Sequence, residues 1–384
     1  MAFLRFHTRL GEVGRARTAI NLAFFNLGVG AGLWAVFIPV VRARVEISEG
    51  VLGLALLCIA LGLIVAMPAT GWAIARYGAR NISAFAAAAL PVACALPILS
   101  PSVLTLFLAC LAYGAVSGVL DVSMNNEAAR VESTTGRALM SSFHGLFSVG
   151  GLAGAGIGAL LVGLGDPASA IACAVVLALF ALAALLVRSW YLPVGDRPAA
   201  RVKFRLPSRA LLLIGILAFL AFGLEGAVAD WSALFLEGHK GASHALAATG
   251  YAAFAGAMAV MRFLGDRLVT RFGRRRALLF GGSLIAAGCA LALLSPWVLL
   301  SAAGFGLMGI GAANVVPVLI STAADFPAGS GGISAVATIG YVGSLAWPPA
   351  IGGLSQVTGL PMALWLIALA GLAIALASGA VRNR

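Results

Sequence analysis

The sequence predicts an all-α integral membrane protein of twelve transmembrane helices, arranged as two six-helix halves. Three observations carry that expectation. The first is composition: of 384 residues, 61% are hydrophobic and only 10% charged, where a soluble globular chain carries about 25% charged residues. Mean hydropathy is +1.04. The second is continuity. Apolar residues run unbroken for about the 20 positions a bilayer span needs, without the alternation of a membrane-barrel strand. The third is the placement of charge, which falls in the gaps between these runs.

The runs lie at 18–41, 49–74, 81–99, 102–126, 138–164, 167–188, 209–236, 245–269, 276–295, 297–324, 332–356 and 361–381. Several exceed the hydrocarbon thickness, which implies tilt or protrusion. Residues 1–17 read as a basic cytoplasmic tail, 18–191 as the first half and 209–384 as the second. Between them LPVGDRPAARVKFRLPS, polar, basic and Pro-containing, reads as a cytoplasmic linker over 192–208.

Basic residues crowd one set of loops. Arg42, Arg44 and Lys240 alone fall on the other set. The positive-inside rule then puts both termini in the cytoplasm. The N-terminal MAFLRFHTRLGEVGRAR is basic and lacks a short apolar region with a cleavage site, so it does not read as a cleaved signal.

The same distribution excludes several function classes. A net charge of +12 without a basic–aromatic patch argues against nucleic acid. Lys203 and Lys240 are the only lysines, and neither precedes Ser or Thr. The chain therefore lacks a Gly-x-x-x-x-Gly-Lys-[Ser/Thr] phosphate loop and reads as no self-contained ATP-driven pump. The five cysteines stand singly in apolar runs, with neither disulfide nor metal spacing, so no metal or cofactor is expected. An intramembrane hydrolase would need a nucleophile, a base and an orienting group. No such set is visible, and an enzyme is not expected.

The halves resemble each other. GWAIARYGAR (71–80) corresponds to DRLVTRFGRR (266–275), and SVGGLAGAGIGALL (148–161) to YVGSLAWPPAIGGL (341–354), at a spacing of about 195 residues. Chance similarity of Gly-rich helices is the bland alternative. Repeated halves with a midplane site between them are the usual build of secondary transporters.

On Gly71, Arg76, Gly78 and Arg80, and again on Arg271, Gly273, Arg274 and Arg275, the sequence resembles the major facilitator superfamily. These residues match the family's Gly-x-x-x-Asp-Arg-x-Gly-Arg-Arg loop. The motif's Asp is Ala75 in one half and Thr270 in the other, while Asp266 replaces the second half's first Gly. Within the family, LDVSMNNEAARVE (120–132), SSFHGLFSVGGLAGAG (141–156) and EGAVADWSALFL (225–236) resemble the rhizopine-transport-protein branch. LDVSMNN resembles, more distantly, the Leu-Glu-x-x-x-Asn stretch of the fucose:proton symporter. The resemblance implies alternating access in a monomer, driven by protons. It implies that spans one, four, seven and ten line a central cavity. It places the proton-linked acid at Asp121, with Asn125 beside it. It gives gating roles to Arg76, Arg80, Asp266, Arg271 and Arg274, with Asp266 standing in for the missing latch acid.

Ionisable groups inside a span cost a few kcal/mol each and are functional candidates by default. Asp121 and Glu225 are the candidates for proton coupling. Asp230 sits five residues after Glu225, about 140° round the helix, and reads as a packing or gating acid. Asn21, Asn26, Trp34, Asn125, Trp231, Asn314 and Tyr341 are the candidate solute contacts. The bland readings stand beside these. Asp121 is alternatively a structural acid, Trp34 and Trp231 interface aromatics, and Asn125 or Asn126 a helix cap. A lone His144 is more often a packing residue. Arg262 stands one turn before Asp266, which suggests an intrahelical ion pair. Gly150, Gly154 and Gly158 form a close-packing stripe.

The function expected is proton-coupled transport of a small polar solute, sugar- or cyclitol-like, across the lipid bilayer. An uncharged solute is favoured because no basic residue is expected in mid-cavity. The alternatives are a proton-driven drug or metabolite exporter, which the same acids would serve, and a non-transporting membrane sensor.

Overall fold

The structure is a computed structural model that describes residues 2–135, 139–192, 208–324 and 330–381. The expected linker lies almost wholly outside the described residues. Among them every regular element is a helix: α1 Ala2–Val45, α2 Glu49–Tyr77, α3 Ala79–Leu99, α4 Val103–Thr135, α5 Met140–Val162, α6 Ala168–Leu186, α7 Arg209–Lys240, α8 His244–Ala247, α9 Thr249–Phe272, α10 Arg274–Leu294, α11 Val298–Ala312, α12 Val315–Ala324, α13 Ser330–Thr358, α14 Leu360–Ala363 and α15 Trp365–Leu376, with single 3-10 turns after α6 and α15.

Counting α8–α9, α11–α12 and α14–α15 as one crossing each gives twelve. Eleven segments are long and apolar enough to cross a membrane. The remaining one, α13, carries Tyr341, Trp347, Pro348 and Pro349, which dilute its apolarity. The helices run past the expected bounds at several ends. α1 begins at Ala2 rather than residue 18, and α4 continues through Asn125 and Asn126 to Thr135. Neither asparagine is therefore a C-terminal cap.

Span ten is broken at Ala313–Asn314. The cause is in the sequence: Pro317 has no N–H for the Ala313 carbonyl, and its ring crowds that carbonyl. The ladder resumes with Val318 N–H donating to Asn314 O at 3.1 Å.

The repeat is visible in the backbone. Gly78 caps α2 at φ 82°, its N–H donating to Ile74 O, and Gly273 caps α9 at φ 82°, its N–H donating to Val269 O. Each glycine also opens the next helix. Only a residue without Cβ adopts that φ freely, so both halves use Gly to reverse the chain in one residue.

Lipid chains are as apolar as leucine, so close packing rather than hydrophobic exclusion holds such helices together. α1 and α5 interlock through Gly28 and Gly32 on one side and Gly150 and Gly154 on the other. A Cβ on any of them would collide with the partner's backbone. The small-residue stripe expected on span five is this seam. Gly114 and Gly118 let α4 approach α2, and Gly343 lets α13 approach α7. Leu160, Leu179, Leu294 and Leu376 stand exposed, as suits side chains facing hydrocarbon.

The halves meet through α2 with α13, α5 with α9 and α1 with α7, pairs that the internal repeat exchanges. At the end of the bundle away from the termini, Gly53 sits against Pro348 and Gly352, and Gln356 Nε2 donates to Ser48 Oγ at 3.1 Å. That end also holds the three basic residues predicted to be outliers, and each is engaged. Arg44 pairs with Asp166, Arg42 lies 3.6 Å from Glu49, and Lys240 donates to the Leu293 and Ser295 carbonyls at 2.9 and 2.6 Å.

Candidate functional site

Asp121, Glu225 and Asp230 lie inside the bundle, each with different surroundings. Asp121 on α4 accepts from Asn125 Nδ2 at 3.1 Å through Oδ1 and from Tyr341 Oη at 3.0 Å through Oδ2. Asn125 also donates to the Asp121 carbonyl at 2.8 Å, which fixes its rotamer one turn down the helix. Tyr341 belongs to α13, in the opposite half, so among the described residues this carboxyl is held from both halves by neutral donors alone. Tyr341 stands edge-on to Phe222 of α7, with ring centroids 5.3 Å apart.

Glu225 on α7 has a cation. Arg262 Nη2 of α9 lies 3.4 Å from Glu225 Oε2, and Arg262 Nη1 donates to Ser148 Oγ of α5 at 2.9 Å. The second carboxyl oxygen of Glu225 is buried without a partner. Arg262 reaches across to Glu225; the side chain of Asp266, the partner expected for it on its own helix, lies outside the described residues. One expectation is corrected: the interior does contain a basic group, although Glu225 opposes its charge. His144 turns its ring edge-on to Phe24 at 5.1 Å and is exposed on α5.

Asp230, further along α7, makes no hydrogen bond or ion pair among the described residues. The Cys110 thiol and the Tyr113 phenol of α4 and the Tyr251 phenol of α9 lie within electrostatic reach of it.

The amides and indoles divide. Asn21 is half-buried on α1. Asn26 is fully buried with neither end of its amide satisfied. Trp34 and Trp231 are buried in the core, their indole N–H groups unpartnered, so neither is an interface aromatic. Asn314 sits at the span-ten break, packed over Gly265 in a groove between α9 and α10 with Phe272 and Phe280.

Comparison with known proteins agrees with this architecture. Residues 20–327 match the Major Facilitator Superfamily. The chain belongs to that superfamily. It is 40% identical over 369 residues to an uncharacterised MFS-type transporter of Yersinia pestis, covering 95% of each chain. It is 33% identical over 370 residues to the membrane protein MosC of Rhizobium meliloti, covering 94% of this chain and 89% of that one. Among solved structures, a mutant of the nucleoside transporter NupG superposes with a TM-score of 0.76 at 10% identity, over 96% of this chain and all of the other. That likeness is one of fold. The chain is a multi-pass membrane transporter of the superfamily.

The superfamily loops lack their motif acid, and their arginines find other partners. Arg76 lies over the Trp72 and Tyr77 rings, 6.0 and 5.6 Å from the centroids. Arg80 donates to Ser189 O at 3.1 Å, tying the loop to the end of span six. Arg271 lies 5.5 Å over Phe272, and Arg274 opens α10. One polar centre escaped the sequence reading. Glu127 on α4 is fully buried and pairs with Arg130 at 2.5 Å. Its spacing of three from Arg130 was the available signal.

Proposed function

We propose that the protein couples a proton gradient to movement of a small polar solute, sugar- or cyclitol-like, across the bacterial inner membrane by alternating access. Both termini face the cytoplasm, and no chemistry is done on the solute. The observation that supports this reading most is the hold on Asp121: a hydroxyl from one half and an amide from the other, with no cation. In low dielectric an ionised carboxylate without a cation is costly, and the neutral donors around Asp121 offset that cost only partly. A proton on Asp121 removes the charge and weakens the pull on Tyr341. Protonation and engagement of the two halves are then linked energetically. A solute hydroxyl can take the place of the Tyr341 hydroxyl or bind the Asn125 amide, which ties occupancy to the same equilibrium. Glu225, held by Arg262, is the second coupling candidate.

The test is Asp121→Asn in reconstituted vesicles. The variant mimics the neutral acid. It is expected to lose pH-driven accumulation while keeping solute counterflow. Accumulation against a gradient by this variant would overturn the assignment and move it to Glu225.

A further inference from the structure

The two halves differ at one helix seam. In the first half Gly114 and Gly118 seat α4 against the backbone of Ile59 and Leu63 in α2. In the second half Gly309 seats α11 against the Phe254 backbone in the same way, but the counterpart of Gly118 is Ala313. Span ten breaks there, and the side chain of Asn314 lies over Gly265 of α9. Beside it a groove opens between α9, α10 and the broken span, with Met261, Phe272, Ala277, Phe280, Leu284 and Asn314 in its lining. Among the described residues Asn314 is the one polar side chain there. Phe272 and Phe280 are 44% and 61% exposed, so the groove is open at the surface of the bundle. Along α9 it runs from Phe272 back to Met261, about 16 Å at 1.5 Å per residue. That is the depth of one leaflet of a hydrocarbon core about 30 Å thick.

The mouth of the groove lies at the end of the bundle that carries the termini, and it is strongly basic. DRLVTRFGRRR (266–276) holds five arginines against one acid. Arg267, Arg271, Arg275 and Arg276 are exposed. The Arg271 guanidinium lies 5.5 Å from the centroid of the Phe272 ring, and Arg276 is one turn before Phe280 on α10. The matching stretch of the first half, GWAIARYGARN (71–81), has two arginines. Both turn to the protein: Arg76 lies over Trp72 and Tyr77, and Arg80 donates to Ser189 O. Holding a loop on one side of a membrane calls for basic residues but for no groove beneath them.

An apolar groove one leaflet deep, under a cluster of guanidinium groups, fits a molecule with an anionic head and a hydrocarbon chain. Guanidinium matches phosphate in a planar, bidentate fashion. A free phosphate answers the charge and leaves the groove empty. A zwitterionic lipid fills the groove but brings its own cation towards the arginines. We propose that this groove binds an anionic phospholipid of the adjacent leaflet, with its phosphate at Arg271 and Arg276 and one acyl chain along Phe272, Phe280 and Asn314. The site depends neither on the solute nor on the coupling ion.

The experiment titrates purified full-length protein with phosphatidylglycerol and with phosphatidylcholine of the same chains, and native mass spectrometry counts the bound lipid. Phosphatidylglycerol is expected to bind at least about fivefold more tightly, the contribution of one basic residue near an anionic head. Arg271→Gln combined with Arg276→Gln is expected to bring it down to the phosphatidylcholine level. Arg76→Gln combined with Arg188→Gln removes the same charge from the same end, away from the groove, and is expected to keep the preference. Ala277→Phe fills the groove and is expected to weaken both lipids. Should that variant not fold, Phe280→Gln, on the exposed rim, carries the same expectation. Glycerol phosphate, a head without a chain, is expected not to compete at lipid concentrations. Equal binding of the two lipids overturns the proposal. So does a preference lost equally in both double variants, which would mean a diffuse field rather than a site. Lipid binding untouched by the groove variant, or competition by glycerol phosphate, overturns it as well.

Discussion

Tyr341 and Asp121, 220 residues apart in sequence, meet at 3.0 Å between α13 and α4 and so join the two halves of the bundle through one hydrogen bond. Under the proposed alternating access the halves rotate against each other, and this bond would be made in one facing and altered in another, which is what a switch needs.

Tyr341→Phe removes the hydroxyl and keeps the ring against Phe222. It is expected to destabilise the protein by about 1.5–3 kcal/mol, the range for a lost hydrogen bond to a charged acceptor. In combination with Asp121→Asn the two losses should be less than additive, because both variants cut one contact. Thermal unfolding of the four proteins in a cycle measures the coupling. Strict additivity would show that the two side chains do not interact in the membrane.

Topology gives a second expectation. The arginine distribution places the linker inside and the Lys240 loop outside. In a background lacking the five native cysteines, Ala200→Cys should react with a membrane-impermeant thiol reagent only from the cytoplasmic face. Lys240→Cys should react only from the periplasmic face. Labelling with the opposite pattern sinks the orientation.

The halves were legible in the sequence because a repeated loop needs repeated glycines. Gly78 and Gly273 sit at the same φ of 82°, and the spacing between GWAIARYGAR and DRLVTRFGRR already matched them. The span-five stripe was legible for a related reason: close helix approach leaves a period-four trace of small residues. The side-chain partners were hidden. Local spacing pointed Arg262 to Asp266, one turn away, and could not point it to Glu225, which is 37 residues earlier on another helix, where periodicity carries no information. Trp34 and Trp231 had equal claims to the membrane interface and to solute contact, and their burial in the core was hidden because burial of an indole depends on the neighbouring helices rather than on its own. The span-ten break was readable from Pro317, but continuous apolarity masks a proline when spans are counted by hydropathy.

The α1–α5 seam predicts a sharp contrast between two glycines two residues apart. A Cβ on Gly154 would run into the Val29 carbonyl and the backbone of Leu33, while one on Gly156 would meet nothing within 4 Å. Gly154→Leu should cost about 1–3 kcal/mol or more through forced separation of the helices. Gly156→Leu, on an exposed face of the same helix, should be close to neutral. Melting temperatures and size-exclusion profiles of the two variants decide it, and equal losses would mean that α5 does not pack on α1 through this face.

The Arg262–Glu225 pair allows a test by rescue. Both side chains are mostly withdrawn from solvent, at 15% and 25% exposure, and one Glu225 oxygen already lacks a partner. Arg262→Met strips the cation and leaves a carboxylate facing only neutral groups. The cost is expected at about 2–3 kcal/mol, below the 3–5 kcal/mol of a fully buried pair because some solvent still reaches Glu225. Glu225→Gln leaves Arg262 charged, with Ser148 and the new amide oxygen as acceptors, and should cost less. Combining the two changes removes both charges, so the double variant should be more stable than Arg262→Met alone. Transport should be impaired in all three, which separates the role in coupling from the role in folding. The decisive reading is the order of melting temperatures. If the double variant melts below Arg262→Met, the two residues contribute independently, and Glu225 is balanced by something other than Arg262.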